Sequence, residues 1–287
     1  MSRTSKSKAW TWWKNRIIRT VGIAILLGWS IMTVYPIIWT FFTSLKTNTQ
    51  LFNDVWGLPT APQWSNYIEA LVAGNMGTYF WNSVIITAGT VALLFLVSPM
   101  AAYALGRAEY HGKNLFYYAL LAGMYVAPQV AIVPLYVLLQ SFSLINTHLG
   151  LMLVYTAFGL PYTIFIARLG FLSIPSSLED AARVDGLSTF QTYWKIALPL
   201  ALPTVLIALI LEAIFVWNDF LFPLVLLRTT DMRTLPLGLY IFRGAYLVQY
   251  GPLAAGIIIS TVPLLVLYVL FSERIKKGIA AGIGVKT

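Results

Sequence analysis

Charged residues in this chain fall in short clusters separated by long stretches that carry none. Charge-free runs of 26 residues lie between Arg19 and Lys46, 37 between Glu69 and Arg107, 54 between Lys113 and Arg168, and 29 between Arg243 and Glu273. A charge in hydrocarbon is costly and a bilayer-crossing helix needs about 20 mostly apolar residues, so these runs predict membrane spans. The 54-residue run accommodates two helices divided by the polar stretch Ser141–His148, which reads as a tight turn. A further apolar segment, Leu200 to Leu227, carries only Glu212 and Asp219 as charges. The pattern predicts an all-α integral membrane protein with six transmembrane helices at about 20–45, 78–106, 114–142, 149–172, 200–227 and 251–272.

Composition supports that class. Of the 287 residues 59% are apolar and 10% charged, against about 25% charged in a soluble domain. There is no cysteine, and His111 and His148 are the only histidines; this excludes a disulfide scaffold and a thiolate zinc site and leaves no candidate metal site. The net charge of +9 is explained by topology. With an even number of spans, 15 of the 19 Lys and Arg residues fall on the side that holds both termini, so both termini are expected to be cytoplasmic, and nucleic acid is not an expected partner. The basic N-terminal stretch precedes an apolar run longer than the roughly 7–15 residues of a signal core, which predicts an uncleaved first span.

The segments between spans, the longest being 46–77, 173–199 and 229–250, are too short for an independent core. Residues 1–287 therefore read as one transmembrane domain with a cytoplasmic loop at 173–199 and a cytoplasmic tail at 273–287. His111-Gly112-Lys113-Asn114 superficially resembles a phosphate-binding loop, but Arg107 stands where the upstream glycine belongs and no Ser or Thr follows the lysine. No nucleophile–His–acid arrangement is present either. The chain is expected to be no enzyme and to bind no cofactor of its own.

The loop between the fourth and fifth spans is the most informative stretch. Ser176 with Glu179 predicts a capping box opening a short helix, and Gly186 predicts its stop. Ser188 with Gln191 predicts a second short helix, which Pro199 is expected to end before span five. Leu178 and Ala182 share a face by their spacing of four, and Ala181-Ala182 allows close approach of another surface.

Asp180-Ala181-Ala182, three residues, Gly186, nine residues, then Ile196-x-Leu198-Pro199 closely resembles the EAA loop of ABC-importer permeases. In that family the loop is a coupling helix that docks into a cleft of a cytoplasmic ATPase. The departure here is Asp180 in place of the family's Glu, with Glu179 just before it. Other segments resemble the same family: Pro36-Ile37-Ile38-Trp39 to Thr43-Ser44-Leu45-Lys46, Asn82-Ser83, Ala101-Ala102-Tyr103-Ala104-Leu105, Leu144-Ile145-Asn146-Thr147, Trp217-Asn218-Asp219-Phe220, Thr234-Leu235-Pro236 and the tail from Lys277 to Lys286. Taken in order they resemble the shorter six-span partner of maltose-type sugar permeases. The resemblance implies the type I ABC importer permease fold, a second homologous permease, an ATPase dimer that holds the ATP and magnesium, an extracytoplasmic sugar-binding protein, and the bacterial or archaeal cytoplasmic membrane. It implies ATPase coupling through Leu178, Glu179, Asp180, Ala181, Ala182, Arg183, Asp185, Gly186, Ile196, Leu198 and Pro199, and a tail contact through Lys277, Gly278, Gly282 and Lys286.

Sugars are held by aromatic faces and by amide or carboxylate hydrogen bonds. Tyr125, Gln129, Tyr155, Glu212, Trp217, Asn218 and Asp219 are therefore the candidate substrate path. Glu212 and Asp219, seven apart, are expected on one helical stripe about 10 Å apart, and Pro128 and Pro134 are expected to bend span three. Two other functions fit some of these residues: a secondary transporter or channel using Glu212 and Asp219, and an ABC permease for a substrate other than sugar.

Overall fold

The computed structural model describes residues 3–242 and 248–282, with the side chains of 16–240, 242, 248–266 and 268–269 among them. In chain order the helices are α1 (Arg3–Ser44), α2 (Asn48–Asn53), α3 (Ser65–Val72), α4 (Met76–Arg107), α5 (Lys113–Ala122), α6 (Pro128–Ser141) and α7 (His148–Leu172). They continue with α8 (Ser176–Val184), α9 (Thr189–Thr192), α10 (Leu198–Asn218), α11 (Leu221–Leu226), α12 (Leu235–Gly238) and α13 (Tyr250–Gly282). Among the described residues four helical stretches are long and apolar enough to cross a bilayer, or five if α5 and α6 count as one span. The described apolar part of α13, Tyr250–Val266, is shorter.

The chain divides into two compact units, Met1–Ala70 with Phe242–Ile259, and Leu71–Ile241 with Ser260–Thr287. In the first, the end of α1 leaves backbone carbonyls without helical partners. Asn66 on α3 answers them, its amide donating to the Ser44 oxygen at 2.8 Å and the Lys46 oxygen at 3.0 Å. The Ser44 hydroxyl meets Tyr67 at 2.8 Å, and buried Lys46 donates to the Asp54 carbonyl at 2.8 Å. The Thr43–Lys46 motif is thus a turn anchored by side chains.

The second unit is built on α4, α7 and α10. Close glycine contacts set their directions. On α7, Gly159 faces Glu212 and Gly170 faces Thr204 of α10, so these two helices run antiparallel; Gly89 facing Met152 and Gly106 facing Arg168 make α4 and α7 parallel. A Cβ on Gly170 would lie 2.7 Å from Thr204 Cβ, and it is the absence of side chains that lets the helices approach, as is common between membrane helices. Leu94, Ile164, Phe171, Leu198 and Val205 fill the core between them.

Two expected spans depart from the prediction. In place of one continuous helix over 114–142, α5 and α6 are bent by 101° around Gly123–Ala127, which is the bend expected of span three, placed beside Pro128, while Pro134 lies inside α6. Pro128 opens α6 and holds Ala127 in an extended conformation (φ −64°, ψ 127°), because its ring disfavours helical geometry in the residue before it. In place of one helix over 200–227, α10 stops at Asn218, Asp219 is extended (φ −69°, ψ 134°), and α11 restarts at Leu221. Pro223 cannot donate to the residue 219 carbonyl, and its ring would strike that carbonyl in a continuous helix.

Candidate functional site

The segment after α7 forms α8, the short helix expected from the loop pattern. Its start differs from the expectation: the N-cap is Pro175, with no side-chain cap, and Ser176 and Glu179 make no capping box. Glu179 turns inward instead and is only 6% exposed. Its Oε1 lies 3.2 Å from the Arg107 Nε at the end of α4, with the Tyr103 hydroxyl beside it. The Arg107 guanidinium also donates to the Phe171 carbonyl at 2.8 and 3.1 Å and to the Ile174 carbonyl. The Phe171 carbonyl belongs to the last turn of α7, where cationic donors are favoured, and Ile174 follows its C-cap. The arrangement is reciprocal, because Arg168 of α7 donates to the Leu105 carbonyl of α4 at 3.2 Å and lies over the Tyr117 ring at 4.3 Å.

With Glu179 and Ala182 turned inward, α8 presents Leu178, Asp180, Ala181, Arg183 and Val184 outward. Asp180 and Arg183 pair at 3.6 Å, both largely exposed, and Val184 is 87% exposed. Leu178 therefore stands outward while Ala182 is buried, although their spacing puts them on one flank. Gly186 (φ +80°) ends the helix as expected. Its N–H reaches the Arg183 carbonyl at 3.0 Å and that of Leu187 the Ala182 carbonyl at 3.0 Å, the paired bonds of a Schellman closure. Asp185, the C-cap, is exposed.

Ser188 and Gln191 open the expected second short helix, α9, through a capping box. Pro199 does not end that helix. Helical backbone continues from Thr189 to Asn218 through a wide turn at Tyr193–Ala197, where the Leu198 N–H bonds to the Tyr193 carbonyl. Such a π-type turn lets the chain absorb Pro199, which lacks a donor, without breaking. Ile196 is half-buried, Leu198 buried and Pro199 exposed. Lys277, Gly278 and Gly282 lie on α13 without described side chains, and Lys286 lies outside the described residues.

At the opposite end of this unit the scattered sequence motifs converge. The Asn82 amide donates to the carbonyls of Asp231 (2.6 Å) and Arg233 (2.9 Å), and the Ser83 hydroxyl accepts from the Leu235 N–H at 2.9 Å. Asn146, in a left-handed conformation (φ 59°), accepts from the Arg228 and Thr229 N–H groups at 2.8 and 3.0 Å. Thr147 caps α7 by accepting from the Gly150 N–H. Asn82-Ser83, Asn146-Thr147 and Thr234-Leu235 are thus parts of one latch holding residues 226–235.

The candidate substrate residues separate into two groups. Asp219 caps the restart of the broken helix, accepting from the N–H groups of Leu221 (3.3 Å) and Phe222 (3.0 Å), and from the hydroxyl of buried Tyr155 at 2.8 Å. Trp217 is buried and donates to the Ser260 carbonyl at 3.1 Å. Glu212 is buried against Gly159 and Leu94. Glu212 lies inside α10 and Asp219 is its C-cap, with a carboxylate already taken up by Leu221, Phe222 and Tyr155. Asn218, Gln129 and Tyr125 are exposed, Tyr125 at 90%. Tyr125 stands at the 101° bend, where a cavity of about 600 Å³ is lined by Tyr118, Leu121, Met124 and Phe165 among others. Sequence patterns did not single out Arg107, whose only local signal is a basic residue two positions after the Ala101–Leu105 motif.

Comparison with known proteins gives this geometry its family. The profile described as "Binding-protein-dependent transport system inner membrane component" matches residues 9–279. The chain is 38% identical to the probable ABC transporter permease protein YurM of Bacillus subtilis over 88% of this chain and 84% of that protein. It is 35% identical to the diacetylchitobiose uptake system permease protein NgcG of Streptomyces coelicolor, over 93% and 89%, and 34% identical to the multiple sugar-binding transport system permease protein MsmG of Streptococcus mutans, over 94% and 95%. Its fold resembles a chain in the crystal structure of a bacterial ABC transporter involved in alginate import, with a TM-score of 0.79 at 24% identity, covering 91% of this chain and 97% of that one. The chain is therefore a member of the binding-protein-dependent transport system inner membrane component family, a permease of the type I ABC importer fold and not an enzyme.

Proposed function

We propose that this chain is one permease of an ATP-driven importer of sugars or oligosaccharides in a bacterial or archaeal cytoplasmic membrane. It crosses the bilayer six times with both termini in the cytoplasm, pairs with a second, homologous permease, receives sugar from an extracytoplasmic binding protein, and docks on an ATPase dimer through α8. The observation that carries the reading is the outward face of α8, Asp180-Ala181 with Arg183-Val184, closed by the left-handed Gly186 and lying where the loop resembles the family's coupling helix. The sugar class rests on the relatives named for diacetylchitobiose and multiple-sugar uptake. Within the path, Tyr125, Gln129 and Asn218 offer the accessible aromatic face and amides. Tyr155, Trp217 and Asp219 hold the broken helix, and Glu212 packs between spans.

Reconstitution tests this. The chain, co-expressed with a partner permease, an ATPase and a binding protein with which it co-purifies and placed in proteoliposomes, is expected to take up at least one of a labelled panel of diacetylchitobiose, maltotriose, an arabino-oligosaccharide and an alginate oligosaccharide, only with ATP and the binding protein. Uptake by the permease alone down an ion gradient, or ATP-driven uptake restricted to a non-sugar solute, would overturn it.

A further inference from the structure

Nine residues make α8, and two of them, Glu179 and Ala182, are buried. One methyl group and one ion pair are a thin attachment for a helix that has to bear load. The charge pair with Arg107 supplies what packing lacks, and the same guanidinium grips the Phe171 and Ile174 carbonyls on either side of the turn that leads from α7 into α8. Ile174 directly precedes Pro175, the N-cap of α8. Arg107 itself is the last residue of α4. One planar side chain therefore touches the end of α4, the end of α7 and the inner face of α8.

We infer that Arg107 is the positioning residue that ties the coupling helix to α4 and α7, so that a displacement of α8 is carried into both spans rather than lost in the connecting turn. This inference rests on the importer reading above. A guanidinium suits the task because its rigid fork can meet a carboxylate and carbonyls at once, whereas a lysine ammonium is a point charge on a flexible stem. The inner partner is charge-compensated, and such buried pairs favour a specific arrangement over raw stability. Reciprocity strengthens the tie: Arg168 on α7 grips the Leu105 carbonyl of α4, so the two spans cap each other.

The test compares Arg107→Lys, Glu179→Gln and Glu179→Leu in the complete reconstituted transporter, measuring ATP hydrolysis and uptake of the panel sugar that the wild type transports. Arg107→Lys and Glu179→Leu are expected to keep ATP hydrolysis and assembly while sugar moved per ATP falls about tenfold, from weakening or losing the Arg107–Glu179 ion pair. Glu179→Gln retains an acceptor for Arg107 and is expected to stay within about threefold of wild type. A merely structural role would lower hydrolysis, assembly and uptake together and leave their ratio unchanged; that result would overturn the inference. A second readout needs no sugar. The chain lacks cysteine, so spin labels at Ser177→Cys and Tyr110→Cys, both exposed, report the distance from α8 to the segment after α4 in the nucleotide-free complex. Arg107→Lys is expected to broaden that distribution, and an unchanged distribution refutes the tie. Loss of ATP-dependent uptake in the wild type would instead refute the importer reading, leaving the distance measurement to decide on Arg107.

Discussion

Replacing Gly186 by alanine, asparagine and valine separates the conformational demand at the end of α8 from every steric one. The residue sits at φ +80°, and a Cβ built there meets no atom within 4 Å. No clash inside this chain contributes, so the penalty is the left-handed backbone itself. That conformation costs an L-residue about 1–2 kcal/mol, with asparagine tolerating it best and β-branched side chains worst. Alanine is then expected to cost about 1 kcal/mol and valine about 2, biasing the closed junction by about 5-fold and about 30-fold. Asparagine is expected to cost a few tenths. The closure also holds two hydrogen bonds, Gly186 N–H to Arg183 and Leu187 N–H to Ala182, so opening it frees the last turn of α8 and misdirects α9. The assay is sugar uptake per ATP in proteoliposomes at matched membrane insertion. The expected order is wild type, asparagine, alanine, valine. Asparagine and valine are similar in size, so a partner surface pressing on the position would impair both equally; equal loss in these two variants, or near-native transport by valine, refutes the backbone explanation.

The broken helix gives a second test. Asp219→Ala removes the acceptor of three donors, including the buried Tyr155 hydroxyl, and is expected to cost about 2–4 kcal/mol, read as a fall in melting temperature of the detergent-solubilised complex, while Tyr155→Phe costs about 1 kcal/mol. At Gly170 any side chain meets Thr204 at 2.7 Å, so Gly170→Val is expected to destabilise the α7–α10 contact by about 1–3 kcal/mol, with Thr204→Ala in the same chain recovering part of the loss. Asn82→Ala frees the carbonyls of Asp231 and Arg233, and limited proteolysis of membranes is expected to cleave the 228–235 segment faster in this variant than in wild type.

What the sequence made legible is what neighbouring residues decide. Charge-free runs announced the helices, and Gly186 and the Ser188–Gln191 pair act within one turn of themselves, so their roles were readable in place. The break at Asp219 was not, because the acid looked like a charge on a helical stripe until Tyr155 and the freed N–H groups of α11 supplied its partners. Glu179 misled for a similar reason: beside Ser176 it fits a capping box, yet an arginine on another helix offers a stronger partner. The resemblance carried by Asn82, Asn146 and Thr234 was visible as order along the chain, but only folding turns it into a latch, since Asn82 on α4 and Asn146 in the turn before α7 grip the same segment. Pro199 was read by its missing donor alone; the widened turn before it, with Tyr193 and Ala197 buried, is visible only in the fold.

Residue-specific cross-linking from α8 in the assembled transporter tests the central claim most directly. A photoreactive side chain at Val184 is expected to form an adduct with the ATPase subunit in membranes, with a yield that changes between nucleotide-free and ATP-bound states, while the same probe at Phe190 serves as the reference position outside α8. Adducts from Val184 to lipid or solvent-borne reagents alone, in a complex that still transports, would contradict the account.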